Sequence, residues 1–272
     1  MRVAVIGHVE WCEFVRVKRV PLAGEIVEGH SFLDEPAGGG AVAAVQMVRL
    51  AGSCDFFTAL GDDALARRSI ARLSALGVTV HAAKRYGPTR RAWVHADTRG
   101  ERTITVIGKK LVPALDDPLS WEVLDQADAV FFVAGADGVL ERARAARFLS
   151  ATTRSLPPGP GVALDAAIGS SNDASEAFAP GDLQPEPAVS VWTNSAAGGR
   201  WRASDGREGV YEAAPPPGPV ADAYGAGDSF AAGTTYSLGR GDSVEDALAL
   251  GARCGATVMT SNGPYERQLA ET

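Results

Sequence analysis

The sequence predicts an α/β fold, in which a mostly parallel sheet carries helices on both faces. Three observations predict it. Short continuous apolar runs recur, such as Val3–Ile6 and the run ending at Val133, which is how strands buried on both faces read. Stretches with helical periodicity alternate with these runs, as parallel strands and their crossovers require. The 272 residues include 31 glycines but only 9 Phe, 5 Tyr and 5 Trp, a balance suited to many tight loops. With 46% hydrophobic residues, the whole chain, residues 1–272, can close one substantial core as a single domain.

Composition excludes several classes of function. Net charge is −7, and the absence of a Lys/Arg cluster argues against nucleic acid and anionic membrane as partners. Cys12, Cys54 and Cys254 are odd in number and far apart, so neither a disulfide framework nor a zinc site is expected, and the compartment reads as reducing. The first seven residues are too short and too strand-like for a signal peptide, and no run approaches the length of a membrane span; the expectation is a cytoplasmic protein. The four histidines form no H-E-x-x-H and no G-x-S-x-G occurs, which removes the zinc-protease and serine-hydrolase readings.

Val3–Ile6 ends at Gly7 and continues as His8-Val9-Glu10-Trp11, so the dinucleotide fingerprint G-x-G-x-x-G is absent. Glu13–Pro21 alternates like an exposed, two-sided strand that runs on through Gly24–Glu28. Gly38, Gly39 and Gly40 open a helix over Val42–Leu50 and bring the backbone close to a ligand or a packed neighbour. Ser53–Leu60 is a strand; Gly61-Asp62-Asp63 caps a helix to Leu76, stopped at Gly77; Val78–Ala82 is a strand. Arg90–His95 and Thr103–Ile107 form a hairpin whose arginines either face solvent or steer an anionic substrate.

Farther on, Asp128–Val133 is a buried strand, Leu140–Leu149 a helix, and Gly161–Asp165 a strand. Asp165 then ends its strand where α/β ligand sites lie. Ser170–Glu176 reads as a helix start, Val189–Thr193 as a strand, and Ser243–Asp246 as a capping box opening a small-residue helix, Ala247–Val258, that stops in the turn Ser261–Gly263.

The stretch with the most chemistry is Asp222-Ala-Tyr-Gly-Ala-Gly-Asp228-Ser-Phe230. Glycines flanking an alanine at the mouth of a helix leave N–H groups uncovered, and the helix dipole favours negative charge there. A carboxylate fixed inside such an anion cradle makes sense if it takes a proton from a hydroxyl while the amides hold the phosphoryl group under attack. The plainer alternative is a strand-to-helix turn with an acid in the first helical turn.

This stretch resembles the C-terminal signature of the ribokinase-like (PfkB) carbohydrate kinases, D-T-x-G-A-G-D-x-F, with Ala223 where the family usually has Thr. The resemblance implies a catalytic base at Asp228 and an anion hole at Gly225, Ala226 and Gly227. Pro36–Ala41 resembles the family's G-G-x-G-x-N block, which puts Val42 at the substrate-binding Asn. The opening G-x-x-N-x-D pattern puts Glu10 at the Asn and Cys12 at the sugar-anchoring Asp. The implied substrate site is therefore Glu10, Cys12, Gly38, Gly39, Gly40 and Val42, in altered form, because valine cannot hydrogen-bond and cysteine does so weakly. Glu10 and Glu13 either recognise hydroxyls or an amine in a new arrangement, or are solvated strand residues.

By the same resemblance, Asp173 and Glu176 have the spacing of the N-x-x-E motif that positions magnesium and the phosphates, with Asn172 offering the Asn one residue early. Thr193, Ser195 and Gly198 stand at the T-x-G-x-x-G segment beside the nucleotide. Gly251 and Ala252 either leave room for a flat adenine ring or serve close helix packing. Asp222 falls near a monovalent-cation site. The resemblance runs from Val3 to Gly263 and implies a three-layer α/β/α sandwich with a small β lid from roughly 10–37 and 88–107. The implied activity is an ATP-dependent kinase acting on a hydroxyl of a sugar or sugar-like molecule, with Mg2+, K+ activation and a homodimer formed through the lid. Two rivals stay open: a nucleoside kinase with Trp11 and Phe14 stacking on the base, and a non-catalytic sensor that has lost the pocket residues at Cys12 and Val42.

Overall fold

The computed structural model describes residues 1–156 and 161–271. In chain order the elements are β1 (Val3–Ile6), β2 (Glu10–Val17), β3 (Gly29–Ala37), α1 (Gly39–Ala51), β4 (Cys54–Leu60), α2 (Ala64–Ala75), β5 (Val78–Lys84), β6 (Arg91–Ala96) and β7 (Arg102–Ile107). There follow β8 (Ala129–Phe132), α3 (Val139–Ala143), β9 (Phe148–Thr152), β10 (Ala166–Ser170), β11 (Val189–Thr193), β12 (Gly199–Ala203), β13 (Glu208–Tyr211), α4 (Ala226–Arg240) and α5 (Val244–Val258).

The central sheet has nine strands in the order β13-β12-β11-β10-β9-β8-β1-β4-β5. From β11 to β5 every pair is parallel; β12 and β13 close the far edge as an antiparallel ribbon. Consecutive residues of a strand face opposite ways. Val5, Phe56 and Phe131 accordingly join the core under α1, α4 and α5, while Ile6, Phe57 and Phe132 join the one on the other face. This is the expected three-layer sandwich, with one layer thin. The second face is covered by α3 and a 3-10 segment, Trp121–Gln126, and residues 171–188 link β10 to β11 without a helix.

Four strands form the separate lid sheet, in the order β3-β2-β6-β7. It pairs β2 with β3 antiparallel and with β6 parallel. The sequence reading ran the strand from Glu13 on through Gly24–Glu28, whereas β2 ends at Val17. The next strand is Gly29–Ala37, and β2 is a central, largely buried strand rather than an exposed one.

Two further expectations are corrected. Leu140–Leu149 is not one helix: α3 ends at Ala143, and Phe148–Thr152 is β9, paired in register with β8 from Ala129↔Phe148 onward. Helix-favouring Arg and Ala gave way there to tertiary pairing of an apolar run. The strand expected at Gly161–Asp165 lies at Ala166–Ser170. Asp165 therefore precedes β10, at the opposite end from the ligand side, and its Oδ2 accepts from the Leu149 amide and from Arg144, both at 2.7 Å. Among the described residues no helix is long and apolar enough to cross a membrane, and all three cysteines are buried free thiols.

Candidate active site

From β1 the chain steps outward to β4 and β5, then returns to lay β8, β9 and β10 on β1's other side. The order in which strands are added thus reverses between β1 and β8, and ligands in open α/β sheets bind beyond the carboxyl ends of strands at such a switch point. The glycine turn before α1 lies there. A Cβ on Gly7, which follows β1, would lie 2.9 Å from Gly40 Cα and 3.0 Å from Val133 Cβ, so backbone packs directly on backbone. A Cβ on Gly39 would lie 2.7 Å from Asp228 Oδ1. The two glycine-rich motifs, nearly 200 residues apart in sequence, therefore meet at one point.

Asp228 stands in the first turn of α4, whose N-cap is Gly225 at φ 81°. That left-handed backbone is one only glycine adopts without cost. Among the described residues the N–H groups of Gly227 and Asp228 donate to no protein acceptor, as expected of the open end of a helix. Gly227 faces open space. Burial pushes the Asp228 carboxyl up to about 6; Glu176 and Glu10 push the same way, and Arg102 and Arg154 oppose them. A carboxylate so placed is ionised at neutral pH yet basic enough to accept a proton.

The other wall is built by β2 and β6. Glu10 is buried, with Oε1 2.8 Å from Arg90 Nε and 3.7 Å from His8 Nε2. The approach of Arg90 is too oblique for a hydrogen bond, and its Nε, like His8 Nδ1, is buried with no hydrogen-bond partner. Burial holds the Glu10 pKa above the usual carboxylate range, against the pull of Arg90 and Lys110. A Cβ on Gly38 would lie 3.2 Å from His8 Cδ2 and 3.3 Å from Glu10 Cγ, so Gly38, Gly39 and Asp228 form a continuous line from Glu10 to α4. The Tyr224 hydroxyl fixes this turn, accepting from the Gly38 amide at 2.9 Å.

A third wall comes from the loops after β9, β10 and β11. Arg154 donates from Nε and Nη2 to Glu176 Oε1 at 3.0 and 2.9 Å and also binds Asp173, so both acids expected near magnesium are turned toward an arginine. Asn172 Nδ2 donates to Asn194 Oδ1 and Ser195 Oγ, both at 3.1 Å, which joins this loop to the 193–198 segment. Ser195 replaces the glycine of the family pattern, yet it keeps a left-handed φ of 48°. Gly198 is pressed against the Tyr211 carbonyl. Asp222 is buried and accepts from the Tyr224 amide at 2.9 Å and the Gly263 amide at 3.4 Å. Among the described residues no three acidic, His or Cys side chains converge as a ready metal cage.

The lid is fastened over this space. Ala223 N–H donates to Gly100 O at 3.2 Å, Arg102 Nη1 to Ala223 O at 3.0 Å, and Arg16 to Ala221 O. The hairpin tip and two lid arginines thus hold the segment that leads into α4.

Several expected residues lie elsewhere. Cys12 is fully buried against the Tyr224 hydroxyl at 3.3 Å, and burial pushes its thiol up to about 12, so it packs as an inert thiol. Val42 is fully buried beneath Gly225. Neither lines the pocket, which corrects the positions inferred by alignment. Glu13 pairs with Arg91 on the lid's outer face at 2.5 Å. The Trp11 ring lies under Arg68, and Phe14 packs edge-on against Tyr224, so neither offers a stacking face to the pocket. A Cβ on Gly251 would lie 2.2 Å from Thr234 Oγ1, and Ala252 is buried in the same α4–α5 contact region; close helix packing, not an open adenine slot, accounts for Gly251.

The sequence reading missed His8 and Arg154, and named Arg90 only among hairpin arginines that either face solvent or steer an anionic substrate. A period-two signal for Arg90 existed, since Arg90 and Arg91 must face opposite sides, but only strand register says which turns inward. Arg154 lay hidden because the helix read over Leu140–Leu149 left β9, the strand that leads to it, unplaced.

The family model for pfkB family carbohydrate kinases matches residues 1–153 and 167–270. Ribokinase from Thermotoga maritima superposes with a TM-score of 0.75 at 18% identity, covering 99% of this chain and 96% of that one. Arabidopsis thaliana ribokinase, solved with ribose and ATP, gives 0.74 at 18% over 96% and 93%. Adenosine kinase from Sinorhizobium meliloti gives 0.75 at 18% over 97% and 95%. No curated protein sequence matches this one. At such identities the structural likeness speaks for the fold, while the family match takes in both glycine-rich turns, their helices and the lid, and this chain therefore belongs to the pfkB family of carbohydrate kinases, a family of phosphotransferases.

Proposed function

We propose that this chain transfers the γ-phosphoryl group of ATP to a hydroxyl of a sugar or sugar-like small molecule. The observation that carries this reading is Asp228. It is a largely desolvated carboxylate with a pKa of about 6, set in the first turn of a helix where the Gly227 and Asp228 amides donate to no protein acceptor among the described residues. Asp228 takes the hydroxyl proton, and the amides of the Gly225–Gly227 turn hold the phosphoryl oxygens as charge moves onto them. Arabidopsis ribokinase was solved with ATP, and the free amides and adjacent cations of this site suit the phosphates of that nucleotide. Magnesium arriving with the nucleotide would neutralise phosphate charge. Glu176 and Asp173 are the acids fitted to its water shell, as magnesium keeps several waters and few protein ligands. Asp222, whose oxygens already receive two amides, is the residue proposed near a potassium ion.

A sugar is favoured over a nucleoside because Trp11 and Phe14 both turn away from the pocket. The outer face of the lid, with Val15, Val17, Phe32 and Trp93 around a shallow hollow and Phe32 59% exposed, is proposed to be covered by a second copy of the chain. Sedimentation of the wild type against Phe32→Asp tests that pairing: a monomer in both would refute it.

The test of the activity is ADP release with Mg-ATP and potassium across sugars, amino sugars, sugar acids, polyols and nucleosides, with Asp228→Asn as blank. Turnover abolished in the variant supports the kinase. Binding of ATP with no turnover on any acceptor favours a sensor.

A further inference from the structure

The stretch at 263–271 forms neither helix nor strand, yet it is fastened across the back of the site. Tyr265 is buried, and its hydroxyl donates to the Pro36 carbonyl at 2.5 Å, at the end of β3 that leads into Gly38 and Gly39. A Cβ on Gly225 would lie 2.9 Å from Val42 Cγ1 and 3.5 Å from Pro264 Cβ, so the stretch also backs the turn before α4. Farther along, Gln46 Nε2 donates to the Leu269 carbonyl at 2.8 Å.

Gln268 is the residue of this stretch that meets both glycine-turn helices in their first turns. It is buried, and its Nε2 donates to Val42 O at 3.1 Å and, at 3.5 Å, to Ser229 Oγ. Val42 follows Gly39 within one turn of α1, and Ser229 directly follows Asp228 in α4. One amide nitrogen therefore spans the two turns whose spacing decides how closely Asp228 Oδ1 approaches Gly39. Stability does not account for an amide at this place. Its Oε1 is buried with no hydrogen-bond partner, and a buried unpaired acceptor is unfavourable. The Val42 carbonyl lies inside α1, where the helix supplies its own N–H donor. An apolar side chain of similar length would suit the fold as well or better.

We propose that Gln268 is a positioning residue of this site: by joining the first turns of α1 and α4 it sets the distance between the Gly38–Gly39 turn and the Asp228 carboxylate. This rests on the reading of Asp228 as the base. Without the bridge only packing holds the two helix openings in register. A misplacement of about 1 Å at a reacting group can cost on the order of 10²-fold in rate.

The experiment follows the Asp228 carboxyl by carbon-13 NMR in protein labelled at the aspartate side-chain carboxyls, with Asp228→Asn identifying the signal. The proteins are full-length wild type, Gln268→Met, Ser229→Ala, the double variant and Gln46→Met, and each is also melted. Gln46→Met is the control, because it cuts another tie of the same stretch without touching α4. In wild type the carboxyl should titrate near 6. In Gln268→Met the titration should fall by about one unit toward the ordinary value as water reaches the carboxylate. The melting temperature of that variant should stay within about 2 °C of wild type or rise. Ser229→Ala should lower the titration too, and the double variant should go no further than Gln268→Met, as a shared bridge requires. Gln46→Met should titrate as wild type. With an acceptor that wild type turns over, Gln268→Met should lower kcat at least about tenfold and leave KM for ATP within about twofold. The proposal is overturned if Gln268→Met melts lower while Asp228 titrates as in wild type, which is the behaviour of a structural tie. It is equally overturned if Gln46→Met shifts the titration as much, or if the two single effects add. A shifted titration in a protein that releases no ADP with any acceptor would sink the kinase reading and leave the bridge standing.

Discussion

A methyl group on Gly39 would lie 2.7 Å from Asp228 Oδ1, inside any allowed contact. Gly40, its neighbour, has a different reason to be glycine: a Cβ there would meet only backbone, at 2.8 Å from His8 O and 2.9 Å from Gly7 Cα. If Asp228 is the base proposed above, adjacent glycines serve chemistry and folding separately. Gly39→Ala should displace the carboxylate and lower kcat at least about tenfold with a modest loss of stability. Gly40→Ala should cost about 1–3 kcal/mol in urea unfolding, the usual penalty of overpacking. Equal kinetic and stability effects for the two would refute the division.

Asp228→Asn should lower turnover by roughly 10²–10⁴, the range for a lost general base, and it should stabilise the fold at neutral pH. The native pKa, about 6, lies above the unfolded value of 3.8. The native state therefore binds the proton more tightly. The resulting stability is fully present below pH 3.8 and is lost as pH rises through 6. At pH 7 and above the wild type carries a desolvated charge costing about 3 kcal/mol at most. Melting curves should show the variant ahead by on the order of 1–3 kcal/mol at pH 7.5, with the gap closing near pH 4. A variant less stable at pH 7.5 would contradict the burial of this charge.

As the proposed base, the same carboxyl should set the pH dependence of catalysis. Since the base works only when ionised, kcat/KM should fall tenfold per pH unit below an apparent pKa near 6. His8, depressed to about 3, adds no second limb in that window. A profile flat down to pH 4.5 would remove Asp228 as the base.

Gly251→Ala should destabilise the protein by about 1–3 kcal/mol, because the added methyl would meet Thr234 Oγ1 at 2.2 Å and Phe230 O at 2.8 Å. Nucleotide affinity of the folded variant should stay close to wild type. A selective loss of ATP binding with unchanged unfolding would return Gly251 to the adenine site.

What the sequence disclosed follows from how local its signals are. Asp222–Phe230, the turn before α1 and the N-cap at Asp63, whose carboxylate takes the Ala66 amide at 2.8 Å, are local devices that can be read from a few adjacent residues. Phe148–Thr152 could not be read that way, since its Arg- and Ala-rich approach favours helix and only pairing with β8 makes it a strand. Aligning Cys12 and Val42 with pocket residues gave their positions along the chain but not their burial. The partners of the site's acids were least legible of all: Arg90 reaches Glu10, and Arg154 reaches Asp173 and Glu176, only through lid register and sheet order.

The fastening of Gly100 and Arg102 to Ala223 has a mechanical consequence. The small sheet proposed to cover the acceptor and the turn proposed to cradle the phosphoryl group are thus one linked part, so a displacement of either is carried to the other through the Ala223 peptide.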